Sequence, residues 1–327
     1  MTRKLVIAGM PDSGKSTFLI ALRHLLVSHE VQSVLRATRL SDAEKHLNGL
    51  AEKWLACEQV DRTQTGVEEW VSLHVRKEAD SSEAEIVVPD FSGEAFRRPA
   101  ATGNCSSGIA RMLFELDGLL LFTNADRSAD DVRLEALASL FAVPSEAEGS
   151  GTDGTNAKPS RSESGTEPES GDANPVMQPA MADPAGVANS APAYSAAPFD
   201  PVNMPEEALL VELLQILNRR PRVPTARAIA VIVSAWDVVE EQDVSPEQWL
   251  EQHRPMVWQY LRNNDDLWSI RVYGVSAQGG KLPDEQKALQ AKIPGERVQI
   301  VGHGAQPHDL TAPIDWLMTG GVVEDHA

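Results

Sequence analysis

The eight residues Gly9-Met-Pro-Asp-Ser-Gly14-Lys15-Ser16 constrain this chain more than any other feature. They follow a short apolar run, Leu5-Val-Ile-Ala8, and lead into Ser16 to His29, where Phe18, Leu19, Leu22, Leu25 and Leu26 recur at helical spacing. The order is strand, glycine turn, helix. Two glycines let the backbone turn tightly and aim its amides at an anion at the helix N-terminus, where the helix dipole favours negative charge. A lysine after the second glycine reaches the β- and γ-phosphates of a nucleotide, and the next hydroxyl sits on Mg²⁺. Gly9, Gly14, Lys15 and Ser16 are therefore expected to hold a nucleoside phosphate, with Asp12, Ser13 and Thr17 as further contacts. The bland alternative, a glycine turn that happens to precede Lys-Ser, leaves the flanking strand and helix unexplained.

Composition sets the domain plan. Residues 144–205 hold ten of the 21 prolines and contain no Leu, Ile or Trp. Such a segment cannot bury enough apolar surface to offset roughly 1–2 kcal/mol per residue of ordering entropy, so it is expected to be a disordered acidic insert. It interrupts one domain, whose parts are 1–143 and 206–327. The chain carries 29 basic and 48 acidic residues, a net charge of −19, and no nucleic-acid partner is expected of so acidic a surface. Two distant cysteines, Cys57 and Cys105, make neither a disulfide framework nor a zinc site and fit a reducing cytoplasm. No signal peptide is read, and no apolar stretch reaches membrane-span length, so no transmembrane segment is expected.

Along the chain, a helical insertion at about 41–60 opens with Ser41 and Glu44 at capping-box spacing and aligns Leu47, Leu50, Ala51, Trp54 and Leu55. Two β-like stretches, 67–77 and 83–90, flank a polar turn. Gly118 to Thr123, Ala228 to Ser234 and Ser269 to Ser276 read as buried strands. Helices are expected at 206–218, 245–263 and 312–318. This alternation predicts an α/β fold of three layers, α/β/α, with a mostly parallel sheet and one antiparallel edge strand from the hairpin.

Three later motifs bear on chemistry. Asp90 ends an apolar strand in Ile86-Val-Val-Pro-Asp90-Phe-Ser-Gly93-Glu94, placed to hold a Mg²⁺ water, and Gly93 lets a backbone amide approach a γ-phosphate. Asp237 follows the strand Val231-Ile-Val-Ser234; a carboxylate there can accept from both N1–H and the 2-amino group of guanine, a donor pair that adenine lacks. Ser276-Ala277 ends the next strand, where a backbone amide can meet the guanine carbonyl. Thr123-Asn-Ala-Asp126 also looks like a base-reading motif. Each of these alone has an ordinary reading as a strand end or turn.

Together, GxxxxGKS at 9–16, DxxG at 90–93, SAWD at 234–237 and SA at 276–277 resemble the regulatory and translation-factor-like (TRAFAC) class of P-loop NTPases, with a small-GTPase-like domain. With the central insert, the pattern looks most like the bacterial double-GTPase families of GTPase-associated conflict systems. The resemblance implies GTP/GDP and Mg²⁺ as ligands, Lys15 on the phosphates, and Ser16 and Asp90 on the Mg²⁺. It also implies Gly93 as γ-phosphate sensor and Asp237 as guanine reader. A switch threonine is implied before the hairpin's first strand: Thr65, with Thr63 as runner-up. In the family's strand order Asp126 comes one strand too early to read the base. Ala235 replaces the lysine whose stem covers the base in that family, and Glu94 stands at the water-orienting position, so slow hydrolysis is expected. Arg62, Arg97 and Arg98 are candidate compensating cations.

The implied function is a cytoplasmic GTP-dependent switch, with a second GTPase or an effector as partner. A non-hydrolysing nucleotide-bound module and a P-loop ATPase or small-molecule kinase stay open on the residues alone.

Overall fold

The computed structural model describes residues 2–39, 44–59, 70–89, 94–130, 200–219, 227–239 and 243–321. Except for residues 200–205, the insert expected at 144–205 lies outside them. So do Arg62, Thr63, Thr65, Asp90 and Gly93. Met1–Arg133 and Phe199–Ala327 form one compact unit.

Among the described residues eight strands make one sheet: β1 (Arg3–Gly9), β2 (Leu35–Arg39), β3 (Val71–Lys77), β4 (Glu83–Val88), β5 (Gly118–Asn124), β6 (Arg227–Ser234), β7 (Trp268–Ser276) and β8 (Gln299–Val301), ordered β2-β3-β4-β1-β5-β6-β7-β8. The β4, β1, β5, β6 and β7 strands run parallel. β5 and β6 come from opposite sides of the insert and pair from Gly118↔Ala228 to Asn124↔Ser234. The antiparallel hairpin strand β3 is present but is not the edge, because β2 covers it; the other edge is a second antiparallel strand, β8.

The central strands are apolar on both sides, as a parallel sheet covered by helices requires. In β1, Leu5 and Ile7 join the core that includes α1 (Lys15–Ser28), α2 (Glu44–Leu55) and α10 (Ala312–Met318). Val6 and Ala8, one residue out of phase, face α3 (Glu94–Thr102), α4 (Ser107–Glu115), α5 (Glu206–Asn218), α6 (Pro246–His253) and α7 (Pro255–Arg262). Two short helices, α8 (Gln286–Gln290) and α9 (Pro294–Arg297), precede β8.

The single helix expected over 245–263 is broken at Arg254, whose φ of −134° and ψ of 56° are not helical. Pro255 is the cause: proline lacks an amide and crowds the residue before it out of the helical region. Ser245 and Gln248 form a full capping box that starts α6. Among the described residues no helix is long and apolar enough to cross a membrane.

Candidate functional site

The carboxyl ends of β1, β5, β6 and β7 open into one cleft of about 780 Å³, lined by the glycine loop from Pro11 to Thr17 and, from distant parts of the chain, by Glu94, Asp237, Ser276 and Ala277. Crevices at this end of an open α/β sheet are where ligands bind, and the volume suits a nucleotide.

The loop is built for an anion. Gly14 has φ of +87°, and a Cβ there would come within 2.7 Å of Ser234 Oγ, so only glycine lets the loop lie against β6. Gly14 is also the N-cap of α1 and supplies no capping side chain, nor is there an acidic residue in the first turn. The leading amides of a 14-residue helix are thus left to a ligand. Lys15 is buried, its Nζ donating to Met10 O at 2.8 Å and to Ser13 Oγ at 3.2 Å. The Ser234 hydroxyl donates to Ser13 O at 2.9 Å, with Thr123 O 3.2 Å away.

At the other end, Ala235 adopts the left-handed conformation, which turns Trp236 inward. The indole packs against Gly274 of β7, where any Cβ would meet the ring at 2.2 Å. Trp236 is part of the core. With that ring wedged, Asp237 faces the cleft, and the Ser276 hydroxyl donates to its Oδ1 at 2.5 Å while accepting from Gly279 N at 3.1 Å. One carboxylate oxygen is therefore oriented by the neighbouring strand end. β7 is braced from behind: burial pushes the Tyr273 phenol up, and the His303 ring meets it edge-on at 5.2 Å. His303 Nε2 lies 2.8 Å from Glu247, and this hydrogen bond holds the Glu247 carboxyl below its usual range.

Glu94 opens α3, lines the cleft, and pairs with Arg97 at 3.6 Å. Ser16, the described member of the expected Mg²⁺ set, also lines the cleft; Asp90 and Thr65 lie outside the described residues. No group of three metal-ligating side chains is present among the described residues.

Sequence reasoning missed part of the lining. Asn124 donates from Nδ2 to Asp12 O at 2.8 Å, so the Thr-Asn-Ala-Asp stretch serves in part to clamp the glycine loop. Arg127 pairs with Asp12 at 3.3 Å, and exposed Asp126 lies nearby on the cleft wall. The end of the helical insertion also reaches the site. Trp54 Nε1 donates to Ala277 O at 3.0 Å, and Glu58 and Gln59 line the cleft. The buried tryptophan was legible as core, but its partner 223 residues away was not.

Fold and cleft together define a phosphate-loop nucleotide-binding protein with the GTPase fold. Residues 6–317 match the family model described as Double-GTPase 1, and the chain belongs to that family, which makes it a GTP-binding protein. Among solved structures it is similar to the Ski7 GTPase-like domain of S. cerevisiae bound to GTP, with a TM-score of 0.43 and 11% identity over 99% of this chain and 51% of that one. It is also similar to a bacterial selenocysteine-specific elongation factor, EF-Sec, with a TM-score of 0.35 and 10% identity over 89% of this chain and 28% of that one. The chain thus spans about half of the first structure's length and less than a third of the second's. Comparison with curated proteins finds no match.

Proposed function

We propose that this protein is a slow GTPase that works as a nucleotide-dependent switch, with hydrolysis stimulated by a partner. The observation that carries the reading is that the glycine loop and Asp237 open on one cleft, so one bound molecule can touch both. Lys15 and the first amides of α1 hold the phosphates. Asp237, oriented by Ser276, accepts from N1–H and the 2-amino group of guanine. An adenine edge would leave that carboxylate without its donor pair.

Ser16 is the described residue that would hold Mg²⁺, with Asp90 and Thr65 proposed beside it; the ion supplies charge neutralisation on the phosphates. Gly93 is proposed to sense the γ-phosphate through its amide. Glu94 stands where a water-orienting group is needed. A carboxylate there adds negative charge next to phosphate, which makes unaided turnover slow and leaves room for a cation from a partner, a second GTPase being the proposed one. The free thiols of Cys57 and Cys105 suit the cytoplasm in which such a switch would operate.

Calorimetric titration with GDP and ADP tests the base assignment, and ADP binding at least as tightly as GDP would end it. Turnover of Mg²⁺-GTP, measured alone and with a candidate partner, tests hydrolysis. The Glu94–Arg97 pair favours a second reading, a GTP-bound module that does not hydrolyse, and zero turnover under both conditions would select it.

A further inference from the structure

We infer that Arg127 is a nucleotide-binding residue whose guanidinium lies over the nucleoside half of the ligand, where Ala235 leaves only a methyl group. The inference rests on the guanine-nucleotide reading of this cleft and adds a residue to it. Strand register carries the argument. Asn124 of β5 and Ser234 of β6 are paired, and each strand continues into a tight 3-10 turn, Ala125–Asp130 and Trp236–Val238, that touches the other. Arg127 stands three residues beyond Asn124, as Asp237 stands three beyond Ser234. The two residues are therefore on adjacent turns that touch, and both line the cleft.

The arginine is also aimed. Its Nη1 lies 3.3 Å from Asp12 Oδ2 and donates to Pro11 O at 3.4 Å, which fixes it on the outer part of the glycine loop. Lys15 occupies a different part of the same loop, at Met10 and Ser13. Two cations thus divide the ligand between them, Lys15 at the phosphates and Arg127 toward Asp237. A half-exposed ion pair with Asp12 is worth little to the fold by itself, since pairs of this exposure contribute about 0–1 kcal/mol. A planar guanidinium is well suited to a purine face, on which it stacks with charge still satisfied at its edge. Asp12 also gains by the arrangement: its carboxylate, set in a loop that takes phosphates, keeps a counter-charge beside it.

The test is calorimetric titration of the full chain with GDP and with GTP. Arg127→Ala is expected to weaken both by the same factor, about thirtyfold. The double variant Arg127→Ala with Ala235→Lys is expected to recover most of that loss, because a lysine stem at 235 enters the same space. Should Arg127→Ala fail to fold, Arg127→Met removes the plane and the charge while keeping the stem. Affinity within twofold of the unsubstituted chain would overturn the inference. So would a loss that follows a fall in the nucleotide-free melting temperature and is not recovered by the lysine at 235. So would a larger loss for GTP than for GDP, which would put the arginine at the phosphates. Failure of the underlying reading is separate, because it appears in the unsubstituted chain as a preference for ADP.

Discussion

The two ends of the cleft are held in different ways. At the base end, each important position is fixed by residues remote in sequence: Trp236 by Gly274, Asp237 by Ser276, and Ala277 by Trp54. At the phosphate end the two charged side chains are held locally, Lys15 by Met10 and Ser13, and Glu94 by Arg97 one helical turn away, while the loop backbone itself is tied down from a distance by Ser234, Asn124 and Arg127. A site held by tertiary packing resists change because a single substitution disturbs several groups, whereas a locally held site can be retuned one residue at a time.

That contrast can be broken experimentally. The largest effect is expected at Asp237→Asn, which loses an acceptor for guanine and offers a donor in its place. GDP affinity should fall about a hundredfold while xanthosine diphosphate, which presents a carbonyl at position 2, gains; competitive titration reads both. Gly274→Ala should cost about 2–3 kcal/mol in urea unfolding, because the new methyl overlaps the Trp236 ring, and should weaken nucleotide binding although it lies outside the cleft lining. A stability loss without any binding loss would show that the base end is less tightly coupled than its contacts suggest.

At the phosphate end, Glu94→Gln should raise single-turnover GTP hydrolysis about tenfold and leave GDP affinity and melting temperature unchanged, since it removes charge without removing shape. The smallest effect is expected behind the base end, at His303→Ala. Glu247 has a folded pKa below its ordinary value of 4.5, so the stabilisation from this pair is present above that value and is lost as pH falls through the lower folded value. Removing the imidazole should cost more near neutrality than in strong acid, the difference being under about 1 kcal/mol. Melting curves across that range check the sign.

The sequence revealed the parts of the molecule whose signals are local. Apolar runs announced β1, β5, β6 and β7, and the glycine loop announced the phosphate end. β2 went unread because only Leu35 among its five residues is buried, and β8 because three residues are too few to show a period. α3 went unread because Pro99 sits inside it. At the site, Asp237 and Ser276 were legible as strand-end residues, but the hydrogen bond joining them was not. Arg127, Glu58 and Gln59 carry no motif; only the pairing of β5 with β6 and the return of the helical insertion bring them to the cleft. Asn124 was visible only as part of the stretch in which Asp126 was the rival base reader; its clamp on Asp12 was not legible, because it depends on a partner 112 residues away.

The bond from the Trp54 indole to the Ala277 carbonyl makes the inserted helix a lever arm whose short end rests on the part of the cleft proposed to take the base. Gln290 grips Ala56 O at 2.7 Å just beyond, so the fulcrum is anchored to the body of the protein. If the base binds there as proposed, linkage makes the dependence mutual: a seated nucleotide would steady the arm, and a pull on the arm would loosen the nucleotide.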